Sequence, residues 1–180
     1  MPAGVKHRFV LKRLLVDLHS RLQRPIHAVE LGVASGNTSE FLLRELPFLH
    51  LTMVDRWALQ QVSETGKYPA QWTVRDRTKQ FGERAILLRG ESPEIASNIP
   101  DESQDLVFID ANHQFKCVDQ DIVAWLPKVK HGGIMSGHDI DGRKDLAGVW
   151  GVRRAVEKHF GKNFAVEDHV WYLFVNKLLT

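Results

Sequence analysis

The sequence predicts an α/β protein built on a doubly wound, mostly parallel sheet, and three observations carry that expectation. Short apolar runs alternate with segments of helical periodicity along the chain. Four of the runs end in polar residues, at Glu30, Asp55, Asp110 and His138-Asp139, where open parallel sheets bind their ligands. The last two runs follow each other with no helix between them, so the final strand is expected to enter antiparallel.

The elements follow in order. Leucines and valines at helical spacing in "VLKRLLVDLHSRL" (10–22) predict an amphipathic first helix within residues 1–24. "HAVEL" (27–31), bounded by Pro25 and Gly32, reads as a buried strand. "NTSEFLLREL" (37–46) opens with residues suited to a helix start, Asn37 or Thr38, and Pro47 stops it. "LTMVD" (51–55), "AILLRG" (85–90), "DLVFID" (105–110) and "GGIMSGHD" (132–139) read as the next four strands. Phe115, Val118, Ile122, Val123 and Leu126 fall at helical spacing between the last two. A helix in "GVWGVRRAVEKHFGK" then precedes two strands in "NFAVEDHVWYLFVNK", joined by a tight turn near Asp168.

The bulk properties set limits. A chain of 180 residues suits one domain, 1–180, and no linker or repeat divides it. A net charge of +2 is near balance, which argues against a dedicated polyanion binder. Cys117 is the only cysteine, so no internal disulfide forms and a cytoplasmic home is expected; within its helix it reads as a small core residue. No apolar run approaches the roughly 18–20 residues that span a bilayer.

Chemistry is concentrated at the strand ends. The turn after the first strand is G-x-x-x-G, from Gly32 to Gly36, rather than the G-x-G-x-x-G of dinucleotide dehydrogenases. Glycines let the backbone approach a ligand, and the next helix offers its free N–H groups to the same crevice. Asp55, closing the second strand, is placed to accept from both hydroxyls of a ribose. E-x-G-x-x-x-G, "MVD", "GES" and "FIDANH" together are more specific than any one of them.

With these residues in view the chain resembles the class I S-adenosylmethionine-dependent methyltransferases, in particular the small O-methyltransferase-like group written "VE-G--SG-ST" and "D-VFIDG-H-Y". The resemblance runs from about Ala28 to Asp139. It implies a Rossmann-like, doubly wound, seven-stranded sheet, mostly parallel, with an antiparallel last strand and helices on both faces. It also implies S-adenosylmethionine as cofactor. Glu30, Gly32 and Gly36 would border the methionine part, Glu30 being met by the cationic amino group and the turn's own N–H donors, and Ala34, Asn37 and Thr38 would also bind the cofactor. Asp55 would take the ribose, Trp57 would flank the adenine, and Glu91 or Ser92 would lie at its edge. Asp110 would sit beneath the sulfonium.

Related O-methyltransferases use a divalent metal whose ligands come from the ends of the fourth and fifth strands. Asp110 and Asp139 match two such positions, and oxygen ligands suit Mg2+ or Mn2+. The chain departs from that pattern at Ile140, often Asn or Asp in those enzymes, and at Asn112, where some relatives have an acid. His113 or His138 would complete the ligands, or His113 would act as base without a metal. The catalytic set is thus Asp110, His113 and Asp139.

Two segments face the same side. Residues 56–81, with Trp57, Tyr68 and Trp72, read as a lid, and residues 139–152 bring Arg143 and Lys144. The expected function is O-methylation of a small-molecule or sugar hydroxyl. A nucleic-acid methyltransferase lacks support from charge or an N-P-P-Y-like motif, and a nicotinamide oxidoreductase is disfavoured by the glycine spacing. A non-catalytic binding module and a homodimer that completes the pocket stay open, and no membrane partner is expected.

Overall fold

The computed structural model describes residues 6–57, 71–141 and 150–177. Its seven strands are β1 (Ile26–Leu31), β2 (Leu49–Asp55), β3 (Ala85–Arg89), β4 (Gln104–Ile109), β5 (Val129–Gly137), β6 (Ala165–Glu167) and β7 (Val170–Phe174). They form one sheet in the order β3-β2-β1-β4-β5-β7-β6. β3, β2, β1, β4 and β5 pair in parallel, while β7 runs antiparallel to both β5 and β6. Asp168 and His169 join the last two with φ of 46° and 67°, the left-handed pair that a two-residue hairpin turn requires.

Alternation along the strands divides the core into two layers. Ala28, Met53, Leu106 and Phe108 face one side, under α1 (Lys6–Leu22), α2 (Asn37–Glu45) and α3 (Gln71–Thr78). Val29, Leu31, Val107 and Ile109 face the other, under α4 (Ser92–Ile95), α5 (Phe115–Trp125) and α6 (Val152–Phe160). The first helix starts at Lys6, earlier than the spacing predicts, and buries Val10, Leu11, Leu14, Leu15 and Leu18 along one stripe. β5 starts three residues before the expected strand and stops at Gly137, leaving His138 and Asp139 in the following turn.

The helix α2 is not capped by Asn37 or Thr38. Gly36 is its N-cap, left-handed at φ 74°, with no side-chain cap bond. Of the expected lid, residues 58–70 with Tyr68 lie outside the described residues, as do Arg143 and Lys144. Residues 71–78 form the helix α3, whose Val74 is fully buried against Gly36. Trp72 is 69% exposed.

Beyond the strands the ladder continues. Gly90 N–H donates to Asp55 O, Gly32 N–H to Val54 O, Asp110 N–H to Leu31 O and His138 N–H to Ile109 O, at 2.8 to 3.1 Å. These bonds bring the four polar strand ends to one level. No described helix is long and apolar enough to cross a membrane.

Candidate active site

A cavity of about 850 Å³ opens along these strand ends. Gly32, Ala34 and Asp55 form its middle, Glu91 and Ser92 one end, and Asp110, Asn112 and His113 the other. Gly32 has φ 86°, and a Cβ there would lie 2.2 Å from the Asp110 carbonyl oxygen, so no larger residue fits between β1 and β4. Cys117, expected in the core, is only half-buried in α5 and lines the cavity.

Asp55 binds the glycine turn together. Its Oδ2 accepts from the Val33 and Ala34 N–H groups, each at 2.9 Å, and its Oδ1 from the Trp57 N–H at 2.8 Å. Ala34 at φ 48° and Trp57 at φ 38° are both left-handed, a conformation costly for a bulky side chain and held here by those bonds. The Trp57 indole N–H donates to Ala34 O at 3.2 Å, and the ring is buried against the turn as well as lining the cavity.

Glu30 sits on the other face of β1, 4% exposed. The turn's N–H groups do not reach it, because Asp55 takes them; its partner is the Ser39 hydroxyl, which donates to Oε2. Burial pushes the Glu30 carboxyl up to about 8, against the Ser39 hydrogen bond. Thr38, also buried, bonds His7 Nε2 at 2.9 Å. Asn37 donates to Ser35 Oγ at 2.8 Å and takes no part in the cavity wall.

At the far end the fourth and fifth strands meet. His113 Nε2 lies 3.0 Å from Asp139 Oδ2 and 3.6 Å from Asp110 Oδ1, and His138 Nδ1 lies 3.1 Å and 3.7 Å from the same two oxygens. The Asp110 and Asp139 carboxylates hold His113 up to about 9. Burial opposes the charge on His138, but the same carboxylates prevail and raise it to about 9. Burial likewise opposes the Asp139 charge, and the two imidazoles overcome it, so its carboxyl is well below the usual range. His113 stacks on Trp150 at 4.3 Å, and its carbonyl accepts from Gly151 N–H at 2.8 Å. Its Nε2 is buried beside both carboxylates and forms no hydrogen bond. Asp110, His113 and Asp139 each offer one donor atom within 4.8 Å of the others. Asn112 is not among them, since its Oδ1 accepts from Gln114 N–H at 2.9 Å and turns the chain into α5.

The sequence reading missed His7. From α1 its ring packs 4.8 Å from His138 and stacks on Phe108, and burial together with His138 lowers it to about 4. It also missed Asp121, whose signal was visible: an acid within the stripe Val118, Ile122 and Trp125 of α5.

The family model that describes a methyltransferase domain matches residues 29–140, from β1 to the turn after β5. The chain belongs to this methyltransferase family. The Sinorhizobium fredii protein y4gI is 31% identical over 133 residues, which are 71% of this chain and 14% of that protein. The chain thus spans about one seventh of this curated relative, in keeping with the 14%. Among solved structures, the O-methyltransferase NovP superimposes with a TM-score of 0.73 at 14% identity, over 96% of this chain and 81% of that one. The O-methyltransferase TomG from Streptomyces achromogenes, solved with S-adenosylmethionine, gives 0.62 at 21% identity, over 92% and 80%. At such identities the likeness is one of fold, and the methyltransferase domain carries its seven-stranded form with the antiparallel seventh strand.

Proposed function

We propose that the chain is an S-adenosylmethionine-dependent O-methyltransferase acting on a hydroxyl of a small molecule or sugar-containing metabolite. One observation carries this reading: a single cavity runs along the strand ends from Ser92, past the turn held by Asp55, to the cluster of Asp110 and His113. The methyltransferase family match and the cofactor on the TomG fold support it.

Bound there, the cofactor supplies a methyl group already activated on a sulfonium, which leaves alignment and acceptor deprotonation to the protein. Asp55 fixes the turn that the cofactor would follow. A carboxylate has about four acceptor positions, and three backbone N–H groups occupy Asp55. One position therefore remains for a ribose hydroxyl, where the sequence alone suggests two.

The donor set at the far end fits a divalent cation, because His113 Nε2 is buried without a hydrogen bond beside two carboxylates. Asp110, His113 and Asp139 would hold it, with His138 beside both carboxylates. An ion held by these residues would lower the pKa of an acceptor hydroxyl. One nitrogen with two oxygens suits Mn2+ better than Mg2+.

Calorimetry tests the cofactor: S-adenosylmethionine binding is expected to vanish in Asp55→Ala and weaken in Gly36→Val, and unchanged binding in both removes the assignment. Methyl transfer to a panel of hydroxyl acceptors, followed by mass, tests the reaction. Full activity after exhaustive chelation excludes the metal.

A further inference from the structure

A histidine that binds a metal usually gives its second ring nitrogen to a carboxylate, a backbone carbonyl or water, and that bond fixes the ring. Of the two imidazoles at the far end of the cavity, His138 has such an anchor, since its Nδ1 bonds Asp139 Oδ2 at 3.1 Å. His113 has none: among the described residues, no hydrogen bond reaches either of its ring nitrogens. Its side chain also hangs from the loop ahead of α5, and the second torsion of an imidazole has no sharp preference of its own. Something else must hold the ring toward the two carboxylates.

What faces the ring is an indole. Trp150 lies 4.3 Å from His113, ring centre to ring centre, and within 7° of parallel. The backbone brings the two together: Trp150 pairs with Gln114 in an isolated antiparallel bridge, and Gly151 N–H donates to the His113 carbonyl at 2.8 Å. No side chain fits at 151, because a Cβ there would stand 2.5 Å from Phe115 Cβ. His113 lines the cavity and Trp150 does not, so the indole backs the imidazole without meeting a ligand itself. A stacked face lets a ring slide in its own plane but resists its turning. Nε2 is thereby kept on the side of Asp139 and Asp110, 3.0 and 3.6 Å away.

We propose that Trp150 is a positioning residue of the cation site: its flat face does for His113 what a hydrogen bond on the second nitrogen does for other metal-binding histidines, and so sets how tightly the site holds a divalent cation. The inference rests on the cation reading above. Flatness is the property that counts. A phenyl ring at 150 offers the same kind of face, whereas an aliphatic or amide side chain fills space and leaves the imidazole free to turn.

Mn2+ binding, followed by the electron paramagnetic resonance signal of the free ion, tests this without any turnover. Trp150→Leu is expected to weaken Mn2+ by about tenfold or more, the range found when the partner that orients a metal-binding histidine is lost. Trp150→Gln, a second exchange without a ring, is expected to show the same loss, and Trp150→Phe to stay within about threefold of wild type. Trp150→Leu is then repeated in His113→Asn, whose amide oxygen still binds a cation but has no ring to stack. There the exchange is expected to change Mn2+ affinity by less than about twofold, whereas a purely structural role would carry the loss into this background too. The inference is overturned if Trp150→Leu and Trp150→Gln bind Mn2+ as wild type does, if Trp150→Phe loses as much as they do, or if the loss persists in His113→Asn. If wild type takes up no Mn2+ at millimolar concentration, the cation reading itself falls, and this inference with it.

Discussion

Glu30 and Asp55 are both acids at strand ends, yet their surroundings differ. Asp55 accepts three backbone N–H groups, while Glu30 has one hydroxyl partner and is pushed up to about 8 from an ordinary 4.5. The folded chain therefore keeps a proton on Glu30 that the unfolded chain releases. Stability is expected to fall as pH rises from about 4.5 to about 8 and to level off above. Urea unfolding at a series of pH values checks this, because Glu30→Gln should flatten that slope; parallel curves for the two proteins would clear Glu30. For Asp55→Asn, one oxygen becomes an N–H2 that cannot accept, so the strained turn at Ala34 and Trp57 loses support. A loss of about 1–3 kcal/mol in unfolding free energy is expected, together with weaker cofactor binding. Both acids were visible in the sequence as polar residues closing apolar runs. Their partners were not. Ser39 reaches Glu30 from the next helix, and His7 meets His138 across 131 positions of chain, separations that only the packed fold closes.

At the scale of elements, α2 is held at both ends by other parts of the chain. It starts from left-handed Gly36, and where it ends Arg84 Nη1 donates to the carbonyls of Leu43, Leu46 and Leu49 at 3.1 to 3.2 Å. Arg84 precedes β3, so one guanidinium joins the end of α2 to the starts of β2 and β3. Arg84→Met keeps much of the apolar stem and removes these bonds; a loss of about 1–3 kcal/mol is expected by denaturant unfolding. A melting curve equal to wild type would show that water replaces the arginine. Periodicity made every major strand legible, because buried parallel strands are nearly continuous apolar runs. The identity of α3 was not legible: "QWTVRDRT" has a single apolar anchor, Val74, and its helix depends on packing against Gly36.

Across the whole molecule, the cluster of Asp110, His113, His138 and Asp139 draws on distant parts of the chain. β4 and β5 supply the acids, and the segment at Trp150 and Gly151 holds His113 by stacking and by a backbone bond. A cation bound there would tie these segments together and favour the folded state by mass action. Millimolar Mn2+ is therefore expected to raise the melting temperature, reversibly on chelation, and Asp139→Asn should abolish the rise. An equal rise in that variant would move the ion elsewhere. The seven-stranded sheet and its antiparallel strand were foreseeable from the order of elements and from the family resemblance. The sharing of two carboxylates between two imidazoles was not, since the sequence separates Asp110 from Asp139 and leaves the histidine rotamers open.

The bonds that prolong the ladder past β1, β2 and β4 also make the site respond unequally to insertions and deletions. Asp110 and His138 depend on strand register alone. A residue added between Ile99 and Ser103, ahead of β4, would be absorbed in the loop and leave their spacing as it is. The same residue added inside β4 would exchange the inward and outward faces and carry Asp110 away from His138. Variation among related chains should accordingly collect in the connections, with the lengths of β1, β4 and β5 held constant.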